Sequence, residues 1–154
     1  MKKFVTILLV LALIVSFAAC GSKQAEPETE PTLADGEYTV KFNTDSSMFH
    51  ANEVDEGCGT LTVKDGVMTL YVRLASTGIV NLYVGKAEDA EKEGAVLLNP
   101  IEDTVTYPDG LKEDVYAYEI PVEKLDTDFD LAILGSKGKW YDHVVSVSSP
   151  ETAE

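Results

Sequence analysis

The sequence predicts an all-β fold, an immunoglobulin-like antiparallel β-sandwich with one short helical turn. Its 154 residues contain about eight short segments in which apolar and polar residues alternate. Turn-forming Gly, Pro, Asp and Asn separate these segments, and no long segment has the 3.6-residue period of a helix. The last segment, KWYDHVVSV at 139–147, is the most informative. Tyr141, His143, Val145 and Val147 share one face of that predicted strand.

The first part of the domain is predicted from alternation and from the points where alternation stops. Residues 37–43 (EYTVKFN) alternate and predict a half-buried strand. Residues 44–50 (TDSSMFH) break the alternation, and their Asp and Ser followed by Met and Phe predict a single capped helical turn. Residues 52–59 are predicted to be a loop that contains Cys58.

A hairpin is the strongest local signal in the chain. Asp65-Gly66 lies between β-forming segments at 60–64 and 67–75, which predicts a two-residue turn with positive φ at Gly66. Residues 86–94 are rich in Ala, Glu and Lys and predict a short surface helix. The remaining predicted strands are residues 79–84, 104–107, 114–120 (ended by Pro121), 129–134 and the segment containing Tyr141.

The N-terminus predicts a lipoprotein signal peptide at residues 1–19. Lys2 and Lys3 precede an unbroken apolar and small run at 4–19, which is short for a membrane-spanning helix. FAAC at 17–20 resembles a bacterial lipobox, which implies cleavage before Cys20 and attachment of a diacylglycerol to its thiol, with palmitate among the acyl chains of the anchor. The alternative is an ordinary secretory signal with a chance cysteine. The first interpretation predicts a lipid-anchored protein on the extracellular face of the cell membrane.

The rest of the chain divides into three parts. Residues 20–35 have three Glu, two Pro and almost no large apolar side chain, so a disordered stalk is predicted. Residues 36–149 form the predicted sandwich, and residues 150–154 form a C-terminal tail. Since Cys20 is assigned to lipid, Cys58 has no disulfide partner and is interpreted as a small buried hydrophobe, with a reactive or metal-binding thiol as the alternative.

Charge and motif content exclude several functions. The formal net charge is −15, and removal of residues 1–19 takes away two lysines and no acid, leaving −17. Such a surface is a poor partner for nucleic acid. The sequence has no phosphate-binding glycine loop, no CxxC and no nucleophile–base motif, so we predict that the protein is not an enzyme.

Four short motifs occur in order along the domain: DGEYTV at 35–40, SMF at 47–49, LTVKDG at 61–66 and YDH at 141–143. In order and spacing they resemble those of NEAT (near-iron-transporter) domains, haem-binding immunoglobulin-like modules of Gram-positive surfaces. The resemblance covers residues 35–148. The family implies haem as the cofactor. It also implies a role in iron transport, with haem, a haem-carrying protein and an iron or haem ABC transporter as partners.

The resemblance also implies a binding site. In the family a tyrosine on the last strand binds the haem iron, and Tyr141 matches it; a phenolate is a hard ligand that suits Fe(III). The helical turn that covers the other haem face matches Ser46, Ser47, Met48 and Phe49. Hydroxyls there can bond a propionate, and Met48 or Phe49 can pack on the porphyrin.

Two departures from the family pattern concern the same site. The family has a second tyrosine four residues after the first, where this chain has Val145; His143 can take over its role. Val145→Tyr is therefore expected to strengthen haemin binding. The acidic surface also repels propionates unless Lys137 and Lys139 mask that charge locally.

Other interpretations of these residues remain open at this stage. Tyr141 is also consistent with an ordinary strand tyrosine, Met48 and Phe49 with core packing, and His143 with a hydrogen-bonded surface histidine. The domain can instead bind a protein or a cell-wall component without haem. A third hypothesis uses soft and borderline ligands for copper or another transition metal. Those ligands are Met48, His50, Cys58 and His143.

Overall fold

Eight antiparallel strands build the domain, and the prediction of an all-β sandwich is confirmed. The structure is a computed structural model and describes residues 33–150. The predicted signal peptide, the predicted lipidation site at Cys20, the predicted stalk up to residue 32 and residues 151–154 lie outside the described residues. The strands are β1 (Gly36–Thr44), β2 (Cys58–Lys64), β3 (Val67–Arg73), β4 (Ile79–Val84), β5 (Ile101–Thr106), β6 (Lys112–Val122), β7 (Phe129–Gly135) and β8 (Trp140–Val147).

The first strand joins the two sheets of the sandwich. The strand order is β4-β7-β8-β1-β2-β3-β6-β5. Residues 36–41 of β1 pair with β2, whereas residues 42–44 pair with β8. One sheet is therefore β1-β2-β3-β6-β5 and the other is β4-β7-β8-β1, with β1 crossing from one to the other. This crossing decides which part of β1 has a neighbour on both sides.

The core lies between the inner faces of the two sheets. Alternation works as predicted in β1, where Val40 and Phe42 are buried and Tyr38 is partly buried. Burial of each such side chain contributes about 1.5–3 kcal/mol. The largest fully buried side chains are Tyr118, Phe49, Leu61, Leu70, Leu74, Leu82, Ile120 and Leu131.

The predicted hairpin turn is present between β2 and β3. Asp65 has φ 51° and Gly66 has φ 78°, so both turn residues have positive φ, as a type I′ turn requires. Asp tolerates the left-handed region better than most residues, and Gly does so without steric cost. The predicted surface helix is the four-residue α1 (Ala87–Ala90), with Ala90 buried.

Two local predictions were wrong. Residues 44–50 form no helical turn: Thr44 ends β1, bends follow between residues 45 and 49, and the 3-10 helix lies at Glu53–Asp55, inside the predicted loop. The reason is that the Ser46 hydroxyl accepts the N–H groups of Met48 and Phe49, at 3.2 Å each, and so replaces the backbone carbonyls of a helix. Pro121 does not end β6, because β5 pairs only as far as Ala117 and leaves that side of β6 open.

Within residues 33–150, no helix has the length and apolar character needed to cross a lipid bilayer.

Candidate functional site

Most of the predicted haem-binding residues lie at one end of the sandwich, on the first half of β8 and on residues 46–49, which Asp45 joins through His143 and Val144. We call the surface at this end the β8 rim and define it as Asp45, Met48, Tyr141 and His143. Burial along the inner face of β8 changes steeply: Tyr141 is 45% exposed and Val145 is 1% exposed. One face of one strand therefore leads from the rim into the core.

Asp45 attaches residues 45–49 to β8. Its backbone N–H donates to the carbonyl of Val144 at 3.1 Å, and its carboxylate accepts the N–H of Val144 at 3.1 Å. The carboxylate also accepts from Nδ1 of His143 at 2.7 Å. The hydrogen bond from His143, followed by that from Val144, holds the pKa of Asp45 below its ordinary value. Because the ionised carboxylate can only accept, Nδ1 of His143 donates to it, and Nε2 is left to accept a proton or a metal ion.

Phe49 is a core residue, not a surface residue of the rim. Its ring contacts Phe42 edge-on at a centroid distance of 5.8 Å and His143 at 5.5 Å. It is 1% exposed, because Thr44 and Ser46 fix the backbone so that residue 49 points inward. Phe49 thus supports His143 from below and offers no surface to a porphyrin, which agrees with the core-packing alternative left open by the sequence.

Val145 is likewise a core residue. It pairs with Phe129 across β7 and β8 and also with Thr44 on β1, so it lies in the middle of its sheet. A tyrosine at that position would overfill the core, at a typical cost of about 1–3 kcal/mol. The structure therefore replaces the expectation that Val145→Tyr strengthens haemin binding with an expected loss of stability.

The exposed residues of the rim are Asp45, Met48 and Tyr141. Met48 is 88% exposed at the outer side of the bends. The Nζ atom of Lys139 lies 5.0 Å from the centre of the Tyr141 ring, a cation–π geometry. Among residues 33–150, no hydrogen-bond partner of the Tyr141 hydroxyl is found. The Tyr141 hydroxyl is thus accessible and makes no hydrogen bond with the described part of the chain.

The alternative metal ligands do not form a cluster. Cys58 begins β2 in one sheet and His143 belongs to β8 in the other, while Nδ1 of His50 bonds the carbonyl of Ala51 at 2.7 Å. Within the described chain, no group of three or more His, Cys, Asp and Glu side chains could hold a metal ion. Cys58 is partly exposed, so its interpretation as a buried hydrophobe was wrong. It lies at a strand end, beside an open groove, where no second sheet covers it.

A second polar feature was missed by sequence reasoning. A cleft of about 400 Å3 on the outer side of β1, β2 and β3, which we call the Arg73 cleft, contains Asp55, Tyr71, Arg73 and Asp103 in its walls. Arg73 forms a two-point ion pair with Asp55, and the Tyr71 hydroxyl donates to Asp103 at 2.8 Å. Burial, followed by the bond to Asp103, raises the pKa of Tyr71 to about 12. The ion pair depends on residues 18 positions apart, and alternation gives no signal for such a contact.

Comparison of the chain with known protein-family models, with characterised proteins and with solved structures finds no match.

Proposed function

We propose that this domain binds ferric haem through Tyr141, on an extracellular lipid-anchored protein that serves iron acquisition. One observation carries the proposal. The Tyr141 phenol is half exposed, its hydroxyl makes no hydrogen bond among the described residues, and it lies at the open end of a strand face that continues with His143, Val145 and Val147. Tyrosine phenolate is a hard anionic oxygen ligand and favours Fe(III) over Fe(II).

Some of the predicted residues are placed to contact haem, and others are not. Tyr141 supplies the iron ligand, and the exposed Ser47 and Met48 belong to the segment that Asp45 attaches to β8. The imidazole of His143, oriented by Asp45, keeps Nε2 available two residues along the same face. Phe49 and Val145 take no part in contact with the ligand and serve as packing beneath the rim. The bound haem would therefore lie largely open to solvent, a geometry suited to transfer between proteins.

The charges near Tyr141 also favour haem binding at this residue. The chain carries a net charge of −15, which opposes the approach of the two haem propionates. The turn between β7 and β8 contains Lys137 and Lys139, and the ammonium of Lys139 is already beside Tyr141. These two lysines supply positive charge where the propionates need it.

A haemin titration followed by visible absorption tests the proposal. Wild type is expected to give a ligand-specific spectrum at one haem per chain, and Tyr141→Phe is expected to lose it. Tyr83→Phe is the matched control, since Tyr83 is a partly buried β4 tyrosine of the same sheet. Reduction to Fe(II) is expected to weaken binding. A wild type without a specific spectrum, or a Tyr141→Phe protein that binds as wild type does, would leave the protein- or wall-binding sandwich as the function.

The membrane anchor is a separate part of the proposal and rests on the apolar run before Cys20. Cys20→Ala is expected to release the protein from the membrane fraction into the soluble fraction, because the acyl chains supply the anchor. Cys58→Ala is the matched control and is expected to stay with the membrane. Retention of Cys20→Ala in the membrane fraction would refute lipidation at this position.

A further inference from the structure

The crossing of β1 between the sheets leaves part of that strand without a neighbour. Residues 42–44 have β8 beside them, and the contact ends at Lys41, whose N–H donates to the Ser148 hydroxyl at 3.1 Å. The carbonyl of Lys41 accepts from the N–H of Ser148 at 3.0 Å. The chain then turns away, because the Ser149 N–H donates to Asp126 at 2.9 Å. Within residues 33–150, no strand lies beside β1 before Lys41 on this side.

Hydrogen-bond direction identifies the groups left open. The N–H of Phe42 points toward the β2 side, where it donates to the carbonyl of Gly57 at 2.9 Å. The N–H and carbonyl of Lys41 point the other way, toward Ser148. Because peptide groups alternate sides along a strand, those of Glu37 and Thr39 point the same way as those of Lys41. Two N–H and two C=O groups therefore form an unpaired edge, which can accept another strand.

The space next to this edge is a groove of about 770 Å3, bordered by Glu37, Thr39, Lys41, Ser149 and Pro150. It has the position that β8 would take if β8 continued along β1. An extended chain in this groove would form the next strand of the β1-β2-β3-β6-β5 sheet.

The groove joins the Arg73 cleft, since Thr39 and Cys58 belong to the walls of both. The cleft contains three carboxylates, those of Asp55, Glu56 and Asp103, against the one guanidinium of Arg73. The Glu56 side chain makes no hydrogen bond within the described chain. The groove adds Glu37 and Lys41, whose ammonium donates to the carbonyl of Glu56 at 2.9 Å. Four carboxylates thus face two cations, and the local charge is negative, as is the net charge of −15 of the whole chain.

We propose that the open edge of β1 at Glu37 and Thr39 binds an extended, basic segment of a partner protein by strand addition. Main-chain hydrogen bonds to Glu37 and Thr39 supply the pairing. Lys or Arg side chains of the segment face Glu37 and reach the carboxylates of the Arg73 cleft. This surface is separate from the β8 rim and does not depend on haem. A second copy of the chain fits less well, because it would bring two acidic surfaces together. In addition, Ser148 already forms hydrogen bonds with the backbone of Lys41.

Two seven-residue probe peptides test the proposal on the full chain. One alternates Lys and Val, and the other alternates Glu and Val. NMR titration should perturb the amides of Glu37 and Thr39 with the basic peptide only, and calorimetry gives the affinity. Thr39→Pro removes an N–H that faces the groove and leaves the pairing with β2 intact, so the affinity should fall about tenfold or more. Thr39→Val keeps that N–H and should bind as wild type does.

Two further variants separate strand addition from general attraction of a basic peptide to an acidic protein. Glu56→Gln removes one carboxylate of the cleft and should weaken binding and reduce its salt dependence. Thr106→Pro places the same substitution in β5, the open strand at the far end of the sheet, and should leave the affinity unchanged. Equal binding by Thr39→Pro and wild type, equal binding of the two peptides, or perturbations confined to β5 would each refute the proposal. A concentration-dependent dimer that blocks the peptide would assign the edge to a second copy instead.

Discussion

The inner face of β8 is exposed in the first half of the strand and buried in the second half. Val145 and Val147 are buried at 1% and 0% exposure, whereas Tyr141 is 45% exposed. The difference comes from what lies opposite: Phe42 and Phe49 pack at the buried end, and the rim carries only the bends at residues 45–49. An alternating pattern thus fixes which side chains share a face, while the packing of other segments decides which of them remain available to a ligand.

The largest expected effect separates neighbouring residues of β8. Val145→Asp buries a charge with no partner and should destabilise the domain by about 4 kcal/mol or more. Val144→Asp places the same charge one residue earlier, on the outer face, where the side chain is 41% exposed, and should cost no more than about 1 kcal/mol, mainly through repulsion from Asp130 on the paired strand. Chemical denaturation of both variants measures the difference. Similar losses in the two would show that β8 does not divide into an inner and an outer face as described.

A second pair of variants tests the floor of the rim. Phe49→Ala should cost about 3–5 kcal/mol, because it leaves a cavity between Phe42 and His143. Met48→Ala changes the adjacent, exposed residue and should alter stability by less than about 0.5 kcal/mol. Thermal melts of the two variants compare them directly. A strongly destabilised Met48→Ala would mean that residue 48, not residue 49, packs in the core.

Two tyrosines sharpen the comparison between core and rim. The Tyr118 hydroxyl is buried and donates to the carbonyl of Ile79 at 2.9 Å. Burial raises the pKa of Tyr118. Tyr118→Phe should cost about 1–3 kcal/mol, because the carbonyl of Ile79 loses its partner in a buried site. Tyr141→Phe should leave stability unchanged. If urea titrations give both variants the same stability, the hydrogen bond from the Tyr118 hydroxyl to the carbonyl of Ile79 does not stabilise the core.

Most of the fold was predictable from the sequence, because alternation and turn residues act locally. The faces of β1 and β8 and the Asp65-Gly66 turn followed from residues only a few positions apart. The burial of Phe49 was not predictable in the same way. It depends on side-chain hydrogen bonds from Thr44 and Ser46 that replace a helical turn, and on the docking of Asp45 to Val144, 99 positions away. The Arg73 cleft likewise exists only once β3, β5 and the 3-10 helix are assembled.

The smallest expected effect concerns acid pH at the rim. The pKa of Asp45 is lowered on folding, so its contribution to stability is complete above the unfolded-state value of 3.8 and is lost as pH falls through the lower, folded-state value. NMR titration of the Asp45 carboxyl should show this lowered midpoint. His143→Leu should move the midpoint upward, because leucine has no donor and the largest cause of the shift is removed. A midpoint unchanged by that substitution would contradict the Asp45–His143 hydrogen bond.

The most direct test of the account is whether Tyr141 itself binds the iron of haem at the rim. Resonance Raman spectroscopy of the haemin-loaded full chain, excited in the phenolate-to-iron charge-transfer band, detects vibrations of a coordinated tyrosinate. We expect these vibrations in wild type and in Tyr83→Phe. We expect them to be absent from Tyr141→Phe, although the stability of this variant is unchanged. Tyrosinate vibrations that persist in Tyr141→Phe, or their absence from haemin-loaded wild type, would contradict it.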